Sequence, residues 1–418
     1  MNHRSRRLGT AAILLAGLTA GSVLAGAAPS LAAAKGTPIP IGALGEITGP
    51  KAGFGTGVLQ GITAGAAEVN AAGGVMGRPV KLYTATDNSD PVDAVPVAQR
   101  LIDLNHIVSE IGEAGASAQA IEPVLTKAHV PLLTAGGDTY FDKNTDPYVW
   151  RLTPSDSQLG VAMALYAQHK HYKTAVTMFT INAVQQALQA EVVAAYTKLG
   201  GKVLGQFNLQ PDLSSYSSEV ARVAALKPDA IFVEMDPGTA GVVFKDFAAA
   251  GYVGTPVVGT DDMIGSATVQ AIGVSTARSV LVNLEGGIFN SPAAGVFNSW
   301  IKKTAHGAAQ PNASYGYDGM IVDALAMDLA KSTAGPAVIK AIPKVTAPGG
   351  KVVYSYAAGL RDIKAGERIT YIGASGPYNY NKYHNIFGPF IAVRVNPNGS
   401  TYSTVSTFAP QTLQAATP

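Results

Sequence analysis

Two short stretches of this 418-residue sequence carry groups suited to holding a charged small molecule. One is Gly112-Glu113-Ala114-Gly115-Ala116-Ser117, and the other is Thr134-Ala135-Gly136-Gly137-Asp138-Thr139. Small residues leave the backbone N–H groups approachable, and hydroxyls add donors. Where a strand gives way to a helix, such a loop suits a carboxylate, because the N–H groups and the helix dipole both favour negative charge. The same pattern also fits an ordinary strand-to-helix turn with Ser117 as a helix cap. Asp261-Asp262, after Val257-Val258-Gly259, suits a cation or an ammonium group, and equally a solvated acidic turn.

Other chemistries lack their residues. Gly53-Phe54-Gly55-Thr56-Gly57 is GxGxG rather than GxGxxG, and reads as a flexible turn; neither GxxxxGKS nor GxxxxGKT occurs. A Gly-x-Ser-x-Gly nucleophile elbow is missing too. Cysteine is absent, which excludes disulfides, thiolate metal sites, catalytic thiols and lipid attachment through sulfur. The 7 histidines form no HExxH, so zinc hydrolase chemistry is not expected. Basic residues number 30 and acidic residues 28, a balance that gives no reason to expect nucleic acid. Neither enzyme activity, a metal nor a cofactor is expected.

Residues 1–34 stand apart. Arg4, Arg6 and Arg7 are followed by an uncharged run from Leu8 to Ala34 with an apolar heart at Ala11 to Leu18. Small residues near Ser30-Leu31-Ala32-Ala33 suit a signal peptidase, so the segment reads as an export signal. Arg6-Arg7 leaves the twin-arginine and general routes both open. Its removal takes three positive charges and turns the formal charge slightly negative. The expected location is extracytoplasmic, in a periplasm or outside a single-membrane cell.

The elements that must position these loops alternate. Strands are expected at Pro38 to Ile47, Val80 to Asp87, His106 to Gly112 and Val130 to Thr134. Helices are expected at Gly57 to Ala72, Asp90 to Leu104 with Asp90 as cap, and Ser117 to Ala128. After a break near Tyr148 to Pro154 the pattern restarts. Helices at Leu159 to Lys170, Val184 to Leu199, Tyr216 to Leu226 and Ala240 to Ala250 flank strands at Thr174 to Thr180, Lys202 to Leu209 and Ala230 to Glu234. Short apolar strands alternating with helices make parallel sheets covered on both faces. The fold class is therefore α/β, with two doubly wound sheets. Hydrophobic residues make up 47% of the chain, enough for sizeable cores, and Met163, Tyr166 and Tyr196 are assigned to packing. The tail past Ser279 is mixed: a strand to Leu284, helices at Ala293 to His306 and Gly316 to Lys331, then strands and turns rich in Gly and Tyr. Tyr378, Tyr380, Tyr383 and Phe387 are assigned mainly to packing.

The order of these features resembles the type I extracytoplasmic solute-binding proteins of ABC importers, in the leucine/isoleucine/valine-binding group. Matching segments run from Ile39 to Val405. They include Thr48-Gly49-Pro50, Gly61, Asn70-Ala71-Ala72-Gly73-Gly74-Val75-Met76-Gly77-Arg78-Pro79-Val80, Asp87, Val130-Pro131 and Arg151-Leu152-Thr153-Pro154-Ser155-Asp156. Lys227-Pro228-Asp229-Ala230, Gly251, Tyr317-Asp318-Gly319 and Tyr371-Ile372-Gly373-Ala374-Ser375-Gly376-Pro377 follow. The resemblance implies two lobes joined by three crossings: residues 35–153 with 285–375, and 154–284 with 376–418. It implies a small ligand, an amino acid or related carboxylate, trapped between them and passed to a membrane permease, with the receptor a monomer. Ser117 and the turn Gly136, Gly137, Asp138 and Thr139 would hold the ligand carboxylate. Asp261 would face its ammonium group, Phe54 would pack on its side chain, and Asp236 falls where the family often has a contacting aromatic. Two departures stand out. Asn182-Ala183-Val184-Gln185 replaces a usual Tyr-Gly, and Asp138 sits near a position often held by Thr. An extra acidic group there disfavours a simple branched-chain amino acid. A sensor that reports its solute without transport is the alternative, and an α/β enzyme a more distant one.

Overall fold

A computed structural model describes residues 35–49, 51–287 and 292–416. The export signal expected at residues 1–34 lies outside the described residues. The chain opens with β1 (Ile39–Gly45), α1 (Ala52–Ala71), β2 (Val80–Thr86), α2 (Pro91–Asn105), β3 (Glu110–Ile111), α3 (Gly115–Lys127), β4 (Leu132–Thr134) and β5 (Val149–Arg151). These strands form one parallel sheet in the order β2-β1-β3-β4-β5. The pattern restarts with α4 (Asp156–His169), β6 (Thr174–Thr180), α5 (Ala183–Lys198), β7 (Lys202–Leu209), α6 (Ser217–Leu226), β8 (Ala230–Glu234), α7 (Pro237–Ala249) and β9 (Val257–Gly259). Short helices α8 (Ser266–Ile272) and α9 (Val274–Val280) lead into β10 (Leu281–Gly286).

The chain then returns to the first lobe through α10 (Pro292–Ala305), α11 (Ala313–Ala330), α12 (Gly335–Thr346), β11 (Lys351–Val353), α13 (Tyr356–Lys364) and β12 (Ile369–Tyr371). It finishes in the second with β13 (Phe390–Val395), β14 (Tyr402–Phe408) and α14 (Pro410–Ala416). The second sheet has seven strands in the order β14-β13-β10-β9-β8-β6-β7, with β13 and β14 antiparallel at one edge. Strands β11 and β12 form a separate parallel pair.

Each main sheet is buried on both faces, as parallel sheets must be. In β1, Ile39, Ile41 and Ala43 join the core beneath α1 and α11, while Leu44 joins the core beneath α2 and α3. In β8, Phe232 packs on the α4 and α5 side and Ile231 and Val233 on the α6 and α7 side. Met163, Tyr166 and Tyr196 are core residues. Helix α11 is buried at every position from Ala313 to Asp328, and its three aspartates, Asp318, Asp323 and Asp328, are met by hydrogen-bond donors.

Several expectations change. The GxGxG stretch is the start of α1 rather than a turn. Gly57, Gly61 and Gly65 follow one another at four-residue spacing along α1. A Cβ at Gly57 would strike the Pro311 carbonyl, and one at Gly61 the Ala313 carbonyl. These glycines let α1 and α11 approach backbone to backbone. Helices α12 and α13 stand where strands and turns were expected, and β3 is far shorter than the run His106 to Gly112.

Three crossings join the lobes: between β5 and α4, between β10 and α10, and before β13. β10 stays in the second sheet to Gly286, and Tyr378 and Ile386 still pack in the first core. A buried carboxylate organises this hinge. Asp318 of α11 accepts from the Tyr371 hydroxyl (2.7 Å), the Ala374 N–H (3.0 Å), the Ser375 N–H (2.8 Å) and the Ser375 hydroxyl. Ser375 meets the Tyr378 hydroxyl at 2.8 Å, which donates to the Leu152 carbonyl of the first crossing (3.2 Å). No helix among the described residues is long and apolar enough to cross a membrane.

Candidate functional site

A cleft lies between the carboxyl edges of the two sheets, where open α/β sheets bind ligands. The first lobe contributes Glu46 just after β1, Lys51 and Phe54 at the start of α1, Gly115 of α3, and Gly136, Gly137 and Asp138 after β4. The second contributes Asp156 and Leu159 of α4, Val184 and Leu188 of α5, Glu234 at the end of β8, Asp261 and Asp262 after β9, and Phe390 of β13. Thr153 and Pro154 of the first crossing and Gly286 at the end of β10 complete the lining. The cavity measures ≈ 50 Å³. A second compartment of ≈ 160 Å³ shares Lys51, Phe54, Asp261 and Asp262 and adds Gln185 and Asp236.

Six carboxylates and one ammonium line the main cavity. Lys51 Nζ lies 3.4 Å from Asp262 Oδ2, and that carboxylate holds the ammonium well above its ordinary range. Burial pushes Glu46 up to about 7, with Lys51 pulling the other way. Asp261 also rises to about 7, through burial and then repulsion from Asp262. Asp156 is raised by burial and by Asp138, and Glu234 by burial and by Asp262. Glu285 of β10 rises to about 8, through burial and then Asp261. Negative groups crowded in a poorly solvated space resist ionisation unless a cation joins them.

The subsite expected to hold a ligand carboxylate is filled by the chain's own acceptors. The Ala114 N–H donates to Glu113 Oε1 (2.9 Å), the Gly115 N–H to Asp138 Oδ2 (3.1 Å) and the Gly136 N–H to Thr134 Oγ1 (3.0 Å). Asp138 thus occupies the N-terminus of α3. Gly137 is glycine for a related reason, since a Cβ there would strike the Asp156 carboxylate. Ser117 is not the helix cap: Ala114 holds that position without a side-chain bond, and Ser117 lies in the third position of α3. Its hydroxyl is buried and donates to the buried Asp87.

Of the residues singled out from the sequence, Phe54, Gly136, Gly137, Asp138 and Asp261 meet in the main cavity, and Asp236 joins Phe54 and Asp261 in the second compartment. Asp236 also caps α7, accepting from the Thr239 N–H (2.9 Å) and hydroxyl (2.7 Å). Ser117 and Thr139 do not line either compartment. Sequence reasoning missed Glu46, Lys51, Asp156 and Glu234 as a set. Each follows a strand or opens a helix at the cleft edge, and that position was the available signal.

The chain matches the family described as periplasmic binding proteins over residues 38–400, and it belongs to that family. An amino acid binding protein of Pseudomonas aeruginosa is 28% identical over 203 residues, 46% of this chain. That match spans about half (52%) of the relative's length. Among solved structures, the leucine-binding protein LivK of Thermotoga maritima superposes with a TM-score of 0.76 at 20% identity, covering 89% of this chain and 99% of the other. LivJ of Streptococcus pneumoniae, a branched-chain amino acid transporter substrate-binding protein in complex with isoleucine, gives 0.74 at 20% identity, with coverage of 89% and 99%. A solute-binding protein of an ABC transporter from R. palustris, in complex with benzoate, gives 0.73 at 17% identity, with coverage of 90% and 97%. At these identities the likeness concerns the fold.

Proposed function

We propose that this chain is the extracytoplasmic receptor of an ABC importer, capturing a small solute between two closing lobes and presenting the closed complex to a membrane permease. The observation that carries the proposal is the cleft itself: both lobes supply its lining, together with Thr153 and Pro154 of the first crossing. Family membership and the shared fold of LivK, LivJ and the benzoate-binding protein support it. Solute that touches both walls binds the closed form better than the open one and shifts the population toward it. The role is binding rather than catalysis, and the receptor works as a monomer exported by residues 1–34.

A thermal-shift screen of amino acids, amines and aromatic carboxylates tests the reading, because a solute specific to the folded state raises the melting temperature. At least one compound of the panel should do so. A panel that leaves the transition unmoved would count against solute capture. Export is tested by N-terminal sequencing of secreted protein, which should begin between Ala33 and Gly36; a full-length, membrane-held chain would make the segment an anchor.

A further inference from the structure

The acid-rich cleft says more about its solute, on the basis of the receptor reading above. We infer that the solute is an aliphatic amine carrying at least two positive charges, of the diamine or polyamine class, and not an amino acid or an aromatic carboxylate.

Three independent features point that way. The first is the loss of the anion subsite. The N–H groups of Ala114, Gly115 and Gly136 already donate to Glu113, Asp138 and Thr134. A ligand carboxylate entering there would displace a protein carboxylate or face it unscreened.

The second is a surplus of buried acceptors. Glu234 is 4% exposed, lines the main cavity, and leaves Oε2 without a hydrogen-bond partner among the described residues. Gln185 is 5% exposed, lines the second compartment, and leaves Oε1 in the same condition. A buried acceptor without a donor is costly. Both compartments therefore call for a donor from the solute, and an ammonium group offers three without an acceptor of its own.

The third is the distribution of charge. Lys51 is already engaged by Asp262, and the nearby Arg151 is held by Asp142 (2.7 Å) and the Asp138 carbonyl. Among the described residues Asp138, Asp156, Glu234 and Asp261 face the cavity without a direct ion pair, and Lys51 and Arg151 act on them only from further off. They come from both lobes and several elements, and among the described residues no group of three or more acidic or His side chains is placed to hold a metal ion. Separated charges on one chain fit this spread better than a point charge. Phe54, Leu159, Val184, Leu188 and Phe390 line the same cavity as the carboxylates, and their apolar surfaces suit methylene groups. The rise of Glu46 and Asp261 to about 7 agrees, since burial and neighbouring carboxylates outweigh the pull of Lys51 and leave them holding protons that a cation would displace.

The test is calorimetric titration of the purified protein with spermidine and putrescine, with leucine and 4-hydroxybenzoate in parallel. The amines should bind, and leucine and 4-hydroxybenzoate should not. Binding should release protons, read as a dependence of the observed heat on the ionisation enthalpy of the buffer. Glu234→Gln and Asp261→Asn should each weaken amine binding about tenfold or more, the worth of one charged hydrogen bond, without lowering the melting temperature of the free protein. Binding of leucine or 4-hydroxybenzoate with inert amines would overturn the amine assignment and leave the receptor reading standing. Amine binding that neither variant weakens would place the amine outside this cleft and overturn the assignment as well. Amine binding weakened by both variants but without compaction in solution would support the assignment and contradict the closing trap.

Discussion

Ser117 and Asp138 exchange the roles that their residue types suggest. The serine hydroxyl, a natural donor to a bound carboxylate, is spent inside the protein on Asp87, whose other oxygen accepts from the Ser89 N–H at 3.0 Å. The aspartate, an unlikely neighbour for an anion, holds the helix N-terminus instead. Ser117→Ala should therefore cost about 1.5–3 kcal/mol of stability by stripping a buried carboxylate of a donor, and leave solute affinity unchanged. Urea denaturation and titration of the same variant check this; weakened affinity at unchanged stability would return Ser117 to the site.

The raised carboxylates carry a second residue-scale consequence. Asp261 is faced by Asp262 and Lys51, with Glu285, Asp156 and Glu234 nearby. Glu46 is faced by Lys51, Asp262, Asp87 and Asp138. A carboxyl group whose folded pKa lies above its unfolded value binds more protons when folded, so stability falls as pH rises between the two values. For Glu46 and Asp261 that window runs from the ordinary carboxyl range to about 7, and for Glu285 to about 8. The free protein should melt at a higher temperature at pH 5 than at pH 8, and a cationic solute should narrow the gap. A melting temperature that climbs steadily over that interval would mean that these groups ionise freely.

At the scale of elements, the glycines of α1 and the carboxylate of α11 do the positioning. Gly61→Ala would press a methyl group into the Ala313 carbonyl and should cost about 1–3 kcal/mol. Asp318→Ala would strip two hydroxyls and two backbone N–H groups of their acceptor at the hinge, for a loss of about 3 kcal/mol or more. Denaturant titration measures both, and a neutral result at Gly61 would show that the helices can move apart. The alternation of strands and helices through Ala249 was legible in the sequence because buried parallel strands are short apolar runs and Asp90 caps its helix as its type predicts. The start of α1 was not legible, because glycines needed for close helix packing look locally like a loop. Helices α12 and α13 were obscured by Gly335, Pro336 and Pro343, and by Gly359 and the flanking tyrosines. The cleft was legible as a place, through the loops after β3, β4 and β9. Its charge was not, since Glu46, Asp156 and Glu234 lie far apart in the chain and meet only when the two sheets face each other.

At the scale of the molecule, two sheets meet edge to edge across a cleft and are joined by three crossings, which on the proposed reading would let them move as bodies. The Tyr378 hydroxyl on the Leu152 carbonyl ties the third crossing to the first. On the proposed reading, closure would hold Glu46 and Asp138 of one lobe against Glu234 and Asp261 of the other, as they stand around the cavity here. Like charge would oppose that arrangement unless a solute of opposite charge lay between them, which would make the proposed solute itself the switch. Small-angle scattering tests this most directly. Whichever of spermidine, putrescine, leucine and 4-hydroxybenzoate binds by calorimetry is added to saturation, and the radius of gyration is compared with that of the free protein while circular dichroism monitors secondary structure. A smaller radius at constant secondary structure is the predicted result. A saturated protein whose radius of gyration does not change would contradict capture between closing lobes.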